Sequence, residues 1–136
     1  AWHKAPTPRP SYRALLFGIH ADLEELEPLL ARRIELMLEQ GALDEVRRAW
    51  NRCPAPEAPA WSGIGCAELL AHLRENLPLD QAKRLWLKNT RAYAKRQMTW
   101  FRKTPDVLWQ RHNDLDTLEA MARALEAFLD AEPSSA

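Results

Sequence analysis

The segment 81–105 of this 136-residue chain contains eight basic residues and no acidic one. The basic residues are Lys83, Arg84, Lys88, Arg91, Lys95, Arg96, Arg102 and Lys103. The other 11 of the 19 basic residues and all 19 acidic residues lie elsewhere, so the formal net charge of +0 conceals a strong segregation of charge. A compact cationic element on an otherwise acidic protein is expected for a surface that binds phosphate groups. The segment therefore indicates a nucleic acid as partner.

The cationic segment has two faces if it is helical, at about 100° per residue. A face about 80° wide carries Arg84, Lys88, Arg91, Lys95, Thr99 and Arg102. The apolar residues opposite are Trp86, Leu87, Tyr93, Ala94, Met98, Trp100 and Phe101. We expect the apolar face to pack on the core and the cationic face, about 30 Å long, to lie outward along an RNA backbone.

Two other interpretations of this helix remain open. The cations could pair with acidic residues of neighbouring helices, as charged helix faces commonly do. The absence of Asp and Glu within the segment weakens that interpretation, because unpaired cations at helical spacing repel each other by about 0.2–0.5 kcal/mol per pair. A basic amphipathic helix could instead bind a membrane surface, but the core needs its apolar face.

No pattern for metal-dependent or nucleophilic catalysis is present in the sequence. The histidines are dispersed and form no HExxH motif, and the two cysteines form no CxxC pair: His3, His20, His72, His112, Cys53 and Cys66. The four glycines cannot form a GxxxxGK[ST] phosphate loop. We therefore predict no metal ligand and no catalytic residue. The GIG sequence at 63–65 is either a flexible start of a helix or a contact point for a passing backbone.

The chain has the length of one ordinary domain and is predicted to be mainly α with up to two short strands. Helices are expected over about 22–41, 43–50, 62–77, 80–103 and 116–129, with strands at 12–19 and 107–109 and a proline-rich loop at 53–59. Residues 1–11 are predicted to be an extended linker and 131–136 a loose tail, so 12–130 forms the folded portion. No apolar run reaches the roughly 18 residues of a membrane span, and no signal peptide begins the chain, which favours the cytoplasm.

The sequence TRAYAKRQMTWFR at 90–102 resembles the C-terminal signature of the tRNA dimethylallyltransferases, also called tRNA isopentenyltransferases. Further segments are similar to that family in order and spacing: LLARRIELMLEQGALDEV at 29–46, GIGCAELLAHL at 63–73 and VLW at 107–109. The resemblance covers about residues 12–109.

The resemblance implies transfer of the dimethylallyl group from dimethylallyl diphosphate to N6 of the adenine beside the anticodon of tRNA. The base must be flipped out of its stack to be reached. The family's active site uses Mg²⁺, an N-terminal nucleotide-binding (ATP-binding) phosphate loop and an N-terminal aspartate base. Without the loop and the aspartate, this chain resembles the C-terminal, tRNA-binding part of a P-loop-type α/β transferase that requires its N-terminal half. The alternative is a non-catalytic helical module that binds RNA or another protein.

The resemblance also implies roles for individual residues. Arg33 matches an arginine that reaches the diphosphate, because a planar guanidinium can hold two phosphate oxygens; its alternative role is a helix-surface ion pair with a nearby Glu. Contacts with tRNA are implied or expected for Ser62, Gly63, Ile64, Gly65, Cys66, Ala67, Lys88, Arg91, Lys95, Arg96, Gln97, Met98, Thr99, Trp100, Phe101 and Arg102.

The chain departs from the family pattern at several positions. Gly65, Cys66 and Ala67 stand where the family has Gly-Tyr-Lys or Gly-Tyr-Arg, which removes an aromatic and a cation from the tRNA contact. Leu29 replaces a frequent arginine on the helix that carries Arg33. The two predicted strands lack the rest of the family's parallel sheet, so we expect them to be irregular, to pair with each other, or to pair with another copy.

Overall fold

The computed structural model describes residues 12–112 and 116–131. Its elements follow in the order β1 (Leu16–His20), α1 (Leu23–Glu39), α2 (Ala42–Arg52), a 3-10 helix (Pro59–Ser62), α3 (Cys66–Arg74), α4 (Leu79–Phe101), β2 (Val107–Arg111) and α5 (Asp116–Asp130). The prediction of a mainly α chain with two short strands is confirmed. The predicted linker at 1–11 lies outside the described residues, as does the tail except for Ala131.

The chain divides into two compact units. One combines the residues up to His20 with those from Thr104 onward, and the other is the continuous stretch Ala21–Lys103. Nothing in the sequence pattern indicated this division, because the hydrophobic periodicity shows which face of an element is buried and not which elements share a core.

The first unit contains a two-stranded parallel sheet. Strands β1 and β2 pair in the register from Leu16 opposite Val107 to His20 opposite Arg111. The predicted strands thus pair with each other. Gly18 makes this possible, because a Cβ at that position would lie only 2.6 Å from the ring of Trp109. At the C-terminus of α5 in the same unit, the guanidinium of Arg13 donates hydrogen bonds to the carbonyls of Phe128 and Ala131, where a cation complements the helix dipole.

The second unit is built around α4. Helices α1 and α4 are antiparallel, as shown by two ion pairs: Glu27 with Arg91 and Glu35 with Lys83, each at 2.6 Å. The core of the unit consists of residues from α1, α2, the 3-10 helix, α3 and α4, namely Ile34, Val46, Trp61, Leu69 and Trp86. Leu69 is only 1% exposed. Each of the five helices of this unit therefore contributes one of these side chains to a single core.

The start of α3 differs from the prediction. Ser62 or Gly63 was expected to open this helix, but Ser62 ends the 3-10 helix, and α3 begins at Cys66 with Gly65 as its N-cap. Gly65 has φ +93°, and a Cβ there would lie 2.8 Å from the indole of Trp86. Only glycine combines this backbone conformation with so close an approach. Gly65 is therefore the start of α3 and is fixed by packing on α4.

Gly65→Ala is expected to destabilise the chain more than the matched variant Gly41→Ala. Both glycines have a positive φ, but Gly41 lies in the left-handed region with ψ 23° whereas Gly65 has ψ −48°, and a Cβ at Gly41 would meet nothing within 4 Å. The positive φ costs about 1–2 kcal/mol for an L-residue, and the contact with Trp86 should add about 1–3 kcal/mol at Gly65 alone. Urea unfolding of both variants measures the difference. Equal losses of unfolding free energy would show that the contact between Gly65 and Trp86 is not tight.

Candidate nucleic-acid interface

The cationic face of α4 lies outward. Arg84, Lys88, Lys95, Thr99 and Arg102 are all exposed. No carboxylate in the described part of the chain lies within 4.0 Å of the four basic residues in this set. Most of the predicted cationic face is therefore exposed as phosphate contacts require, and its exposed cations keep their charge available.

Arg91 departs from this prediction. Its side chain is half-buried, and its guanidinium lies 2.6 Å from Glu27 of α1. Lys83 likewise lies 2.6 Å from Glu35 and 3.9 Å from Asp80, and the hydrogen bond with Glu35 is the largest cause of a raised pKa for Lys83. The absence of acidic residues within 81–105 did not imply unpaired cations, because α1 supplies the partners. The expected contact of Arg91 with RNA competes with this ion pair.

The apolar face of α4 is buried only in part. Trp86 is 5% exposed, and Leu87, Ala94 and Met98 are half-buried, as expected. Tyr93, Trp100 and Phe101 were also expected in the core, but they are 48%, 66% and 43% exposed. For Trp100 and Phe101 the reason is the unequal length of α1 and α4. In the antiparallel register set by Glu27 and Arg91, α1 begins about one turn beyond Arg91, so the last two turns of α4 extend past it.

These exposed aromatic residues lie among cations at the end of α4. The rings of Trp100 and Phe101 meet edge to face at 4.9 Å, and the guanidinium of Arg96 lies 5.7 Å from the centre of the Tyr93 ring. Two shallow grooves share Arg96 and Trp100, and the second is also lined by Lys95 and Lys103. We call Tyr93, Arg96, Trp100 and Phe101 the aromatic-cationic surface. Such surfaces stack unpaired bases while nearby cations contact the phosphates.

The 62–67 segment presents only its first half to solvent. Ser62, Gly63 and Ile64 are exposed, whereas Gly65 is buried and Cys66 and Ala67 are half-buried in the first turn of α3. The Ser62 hydroxyl donates a hydrogen bond to the carbonyl of Pro59 at 2.7 Å, which stabilises the turn. The three exposed residues are therefore the ones placed to contact a ligand.

Arg33 lies on α1 and is exposed. No carboxylate of the described residues lies within 4.0 Å of it, whereas its neighbour Arg32 is 3.8 Å from Glu39. The surface ion pair considered for Arg33 is thus made by Arg32 instead. The contact of Arg33 with a diphosphate stays a prediction.

Within 12–112 and 116–131, no group of three His, Cys, Asp or Glu side chains could hold a metal ion. In the same residues, no helix is long and apolar enough to cross a membrane.

A comparison with known proteins decides the family, because the family described as IPP transferase matches residues 1–104. The chain belongs to the IPP transferase family. A tRNA dimethylallyltransferase from Nitratidesulfovibrio vulgaris (strain Miyazaki F) is 57% identical over 123 residues, which are 90% of this chain and 36% of that protein. The corresponding protein of Oleidesulfovibrio alaskensis is 50% identical over 124 residues, with 91% and 41% covered.

Solved structures of the IPP transferase family share the fold. A tRNA isopentenylpyrophosphate transferase from Bacillus halodurans has a TM-score of 0.73 at 28% identity, over 84% of this chain and 38% of that one. A tRNA delta(2)-isopentenylpyrophosphate transferase from Staphylococcus epidermidis has a TM-score of 0.75 at 26% identity, over 87% and 39%. The chain thus spans about two fifths of the length of these relatives.

Two residues beside the predicted site were missed by the sequence analysis. Glu68 is buried and bonds both to the start of α3 and to Asn89 of α4. A signal for Glu68 existed, because a Glu three residues after an N-cap commonly closes a capping box. No local pattern could have identified Asn89, since the contact joins residues 21 positions apart.

Arg91→Ala is expected to lower the free energy of unfolding by up to about 1 kcal/mol, because it removes the half-exposed ion pair between α4 and α1. Lys88→Ala is the matched control on the same helix and should stay within about 0.5 kcal/mol, because Lys88 is exposed and meets no carboxylate in the described chain. Urea titration at low ionic strength compares the two. A loss for Lys88→Ala as large as that for Arg91→Ala would contradict this division of the cations.

Proposed function

We propose that this chain is the C-terminal, tRNA-binding part of a tRNA dimethylallyltransferase. The complete enzyme would move the dimethylallyl group from dimethylallyl diphosphate to N6 of the adenine next to the anticodon. The observation that carries the proposal is the exposure of Arg84, Lys88, Lys95 and Arg102, which meet no carboxylate among the described residues, together with a groove that joins Lys95 to Trp100 of the aromatic-cationic surface. Relatives named tRNA dimethylallyltransferase, at 50–57% identity, support the choice of tRNA as ligand.

The cations of α4 would bind the RNA backbone. Lys88, Lys95 and Arg102 are spaced seven residues apart, so they lie about 10.5 Å from one another along the helix. Phosphate contacts of this kind position an RNA without reading its sequence. Trp100, the most exposed aromatic residue of α4, could then stack on an unpaired base of the anticodon loop, as aromatic side chains do in RNA recognition.

The chemistry itself would come from the remainder of the enzyme. The phosphate loop, the aspartate base and the Mg²⁺ that stabilises the diphosphate charge belong in this proposal to the N-terminal half. Arg33 would be the contribution of this chain to the diphosphate, since a guanidinium can offset the charge that develops on the leaving group. Because its substrate is tRNA, we place the enzyme in the cytoplasm.

The chain alone is expected to give no modified adenine when it is incubated with tRNA, dimethylallyl diphosphate and Mg²⁺. Mass spectrometry of nucleosides from the digested tRNA measures the product, with a complete family member as positive control. Turnover by the chain alone would overturn its assignment as a non-catalytic part. Equal affinity for tRNA and for unrelated structured RNAs would instead favour a general RNA-binding module.

Lys95→Ala and Arg102→Ala are each expected to weaken tRNA binding and to reduce the slope of log affinity against log salt by about one, because each removes one phosphate contact. Arg48→Ala is the matched control, since Arg48 is an exposed arginine on α2, away from the cationic face. Fluorescence anisotropy with labelled tRNA at several salt concentrations measures both quantities. If Arg48→Ala has the same effect, or the unsubstituted chain does not bind, the cationic face of α4 is only a solvated surface.

A further inference from the structure

Glu68 is a buried carboxylate with both oxygens engaged by the protein. Glu68 is only 6% exposed. Oε2 accepts a hydrogen bond from the backbone N–H of Gly65 at 2.7 Å, and Oε1 accepts one from the Nδ2 amide of Asn89 at 2.6 Å. A buried carboxylate is costly unless such bonds satisfy it. Glu68 therefore connects the turn before α3 to the surface of α4.

The contact on α4 falls in line with the aromatic-cationic surface. Asn89, Tyr93, Arg96 and Trp100 follow one another at steps of four, three and four residues, which places them along one face of the helix. Asn89 is the residue of this line that bonds to α3, through Glu68. The exposed residues Ser62, Gly63 and Ile64 precede Gly65 directly, so the link holds them at the N-terminal end of that face.

We infer that Glu68 is a positioning residue that fixes the exposed turn at 62–64 relative to the aromatic-cationic surface, so that one RNA strand can contact both. This inference rests on the proposed function. A ligand that contacts two elements binds more tightly when their relative position is already fixed, because no free energy of binding is then lost in ordering them. The bond from Gly65 to Glu68 fixes the end of the turn at 62–64, and the bond from Asn89 to Glu68 attaches that turn to α4.

A helix cap alone would need only the first of these bonds. The capping hydrogen bond to Gly65 satisfies the start of α3, whereas the bond to Asn89 adds nothing to the cap. Substitution of Asn89 therefore separates the two roles, because Asn89→Ala leaves the Gly65–Glu68 bond in place. Glu68→Gln should keep both bonds: its carbonyl oxygen can accept from Gly65, and its amide can donate to the Oδ1 of Asn89 once that amide turns over.

The experiment measures tRNA affinity by anisotropy for Asn89→Ala, Glu68→Ala, the double variant and Glu68→Gln, each shown to be folded by circular dichroism at the assay temperature. Asn89→Ala is expected to weaken binding about five- to tenfold, the size of a modest coupling between two sites. The salt slope should stay unchanged because no cation is removed. Glu68→Gln should bind nearly as well as the unsubstituted chain.

The double variant excludes a direct contact between Asn89 and RNA. If Asn89 acts only through Glu68, the double variant binds no more weakly than Glu68→Ala; an additive loss would show that Asn89 contacts RNA itself and would overturn the inference. Hydrogen exchange gives an independent readout, because exchange of the Gly63 N–H, which donates to the carbonyl of Ala60 at 3.2 Å, should quicken in Asn89→Ala. Unchanged affinity of Asn89→Ala overturns the inference alone. Absence of tRNA binding by the unsubstituted chain overturns it together with the proposed function.

Discussion

The burial of Trp86 fixes the rotation of α4 about its own axis, and the candidate interface depends on that rotation. Its indole is 5% exposed, belongs to the core cluster and leaves no room for a side chain at Gly65. Lys95 follows nine residues later, which at about 100° per residue places it on the opposite side of the helix. With Trp86 inward, Lys88, Lys95 and Arg102 must therefore point outward. The tryptophan determines which charges an RNA could reach, although it contacts no RNA itself.

The packing of α1 then divides the cations of α4 into two groups. Glu27 and Glu35 lie eight residues apart on α1 and bind Arg91 and Lys83, eight residues apart on α4. Both ion pairs are partly exposed to solvent, so each contributes at most about 1 kcal/mol, and their clearer effect is to favour the antiparallel register. The cations that do not pair with α1, such as Lys88 between the two paired residues, keep their charge available for a ligand. Structural and binding roles are thus separated around one helix by the position of a second.

The sequence predicted the features that depend on local periodicity. The helices, the two strands and the outward direction of Lys88, Lys95 and Arg102 followed from residue spacing alone. The errors concern features that depend on distant elements. Arg91 is paired because α1 places Glu27 beside it, and Trp100 is exposed because α1 begins too late to cover it. The start of α3 was misplaced because Gly65 is fixed there by its close approach to Trp86, which lies 21 residues away on another helix.

The departure from the family pattern at Cys66 and Ala67 has a structural consequence. Both residues lie in the first turn of α3 and are half-buried, whereas the turn before them, at 62–64, is exposed. A small side chain at these positions cannot extend an aromatic ring or a cation to RNA. In this chain an exposed cation and an exposed aromatic ring are found on α4, at Arg96 and Trp100, on the same face as Asn89. In the proposed function, α3 would therefore add no aromatic ring or cation from positions 66 and 67 to the binding of RNA. Binding would depend more heavily on α4, and on the buried Glu68, whose bond to Asn89 joins α3 to α4.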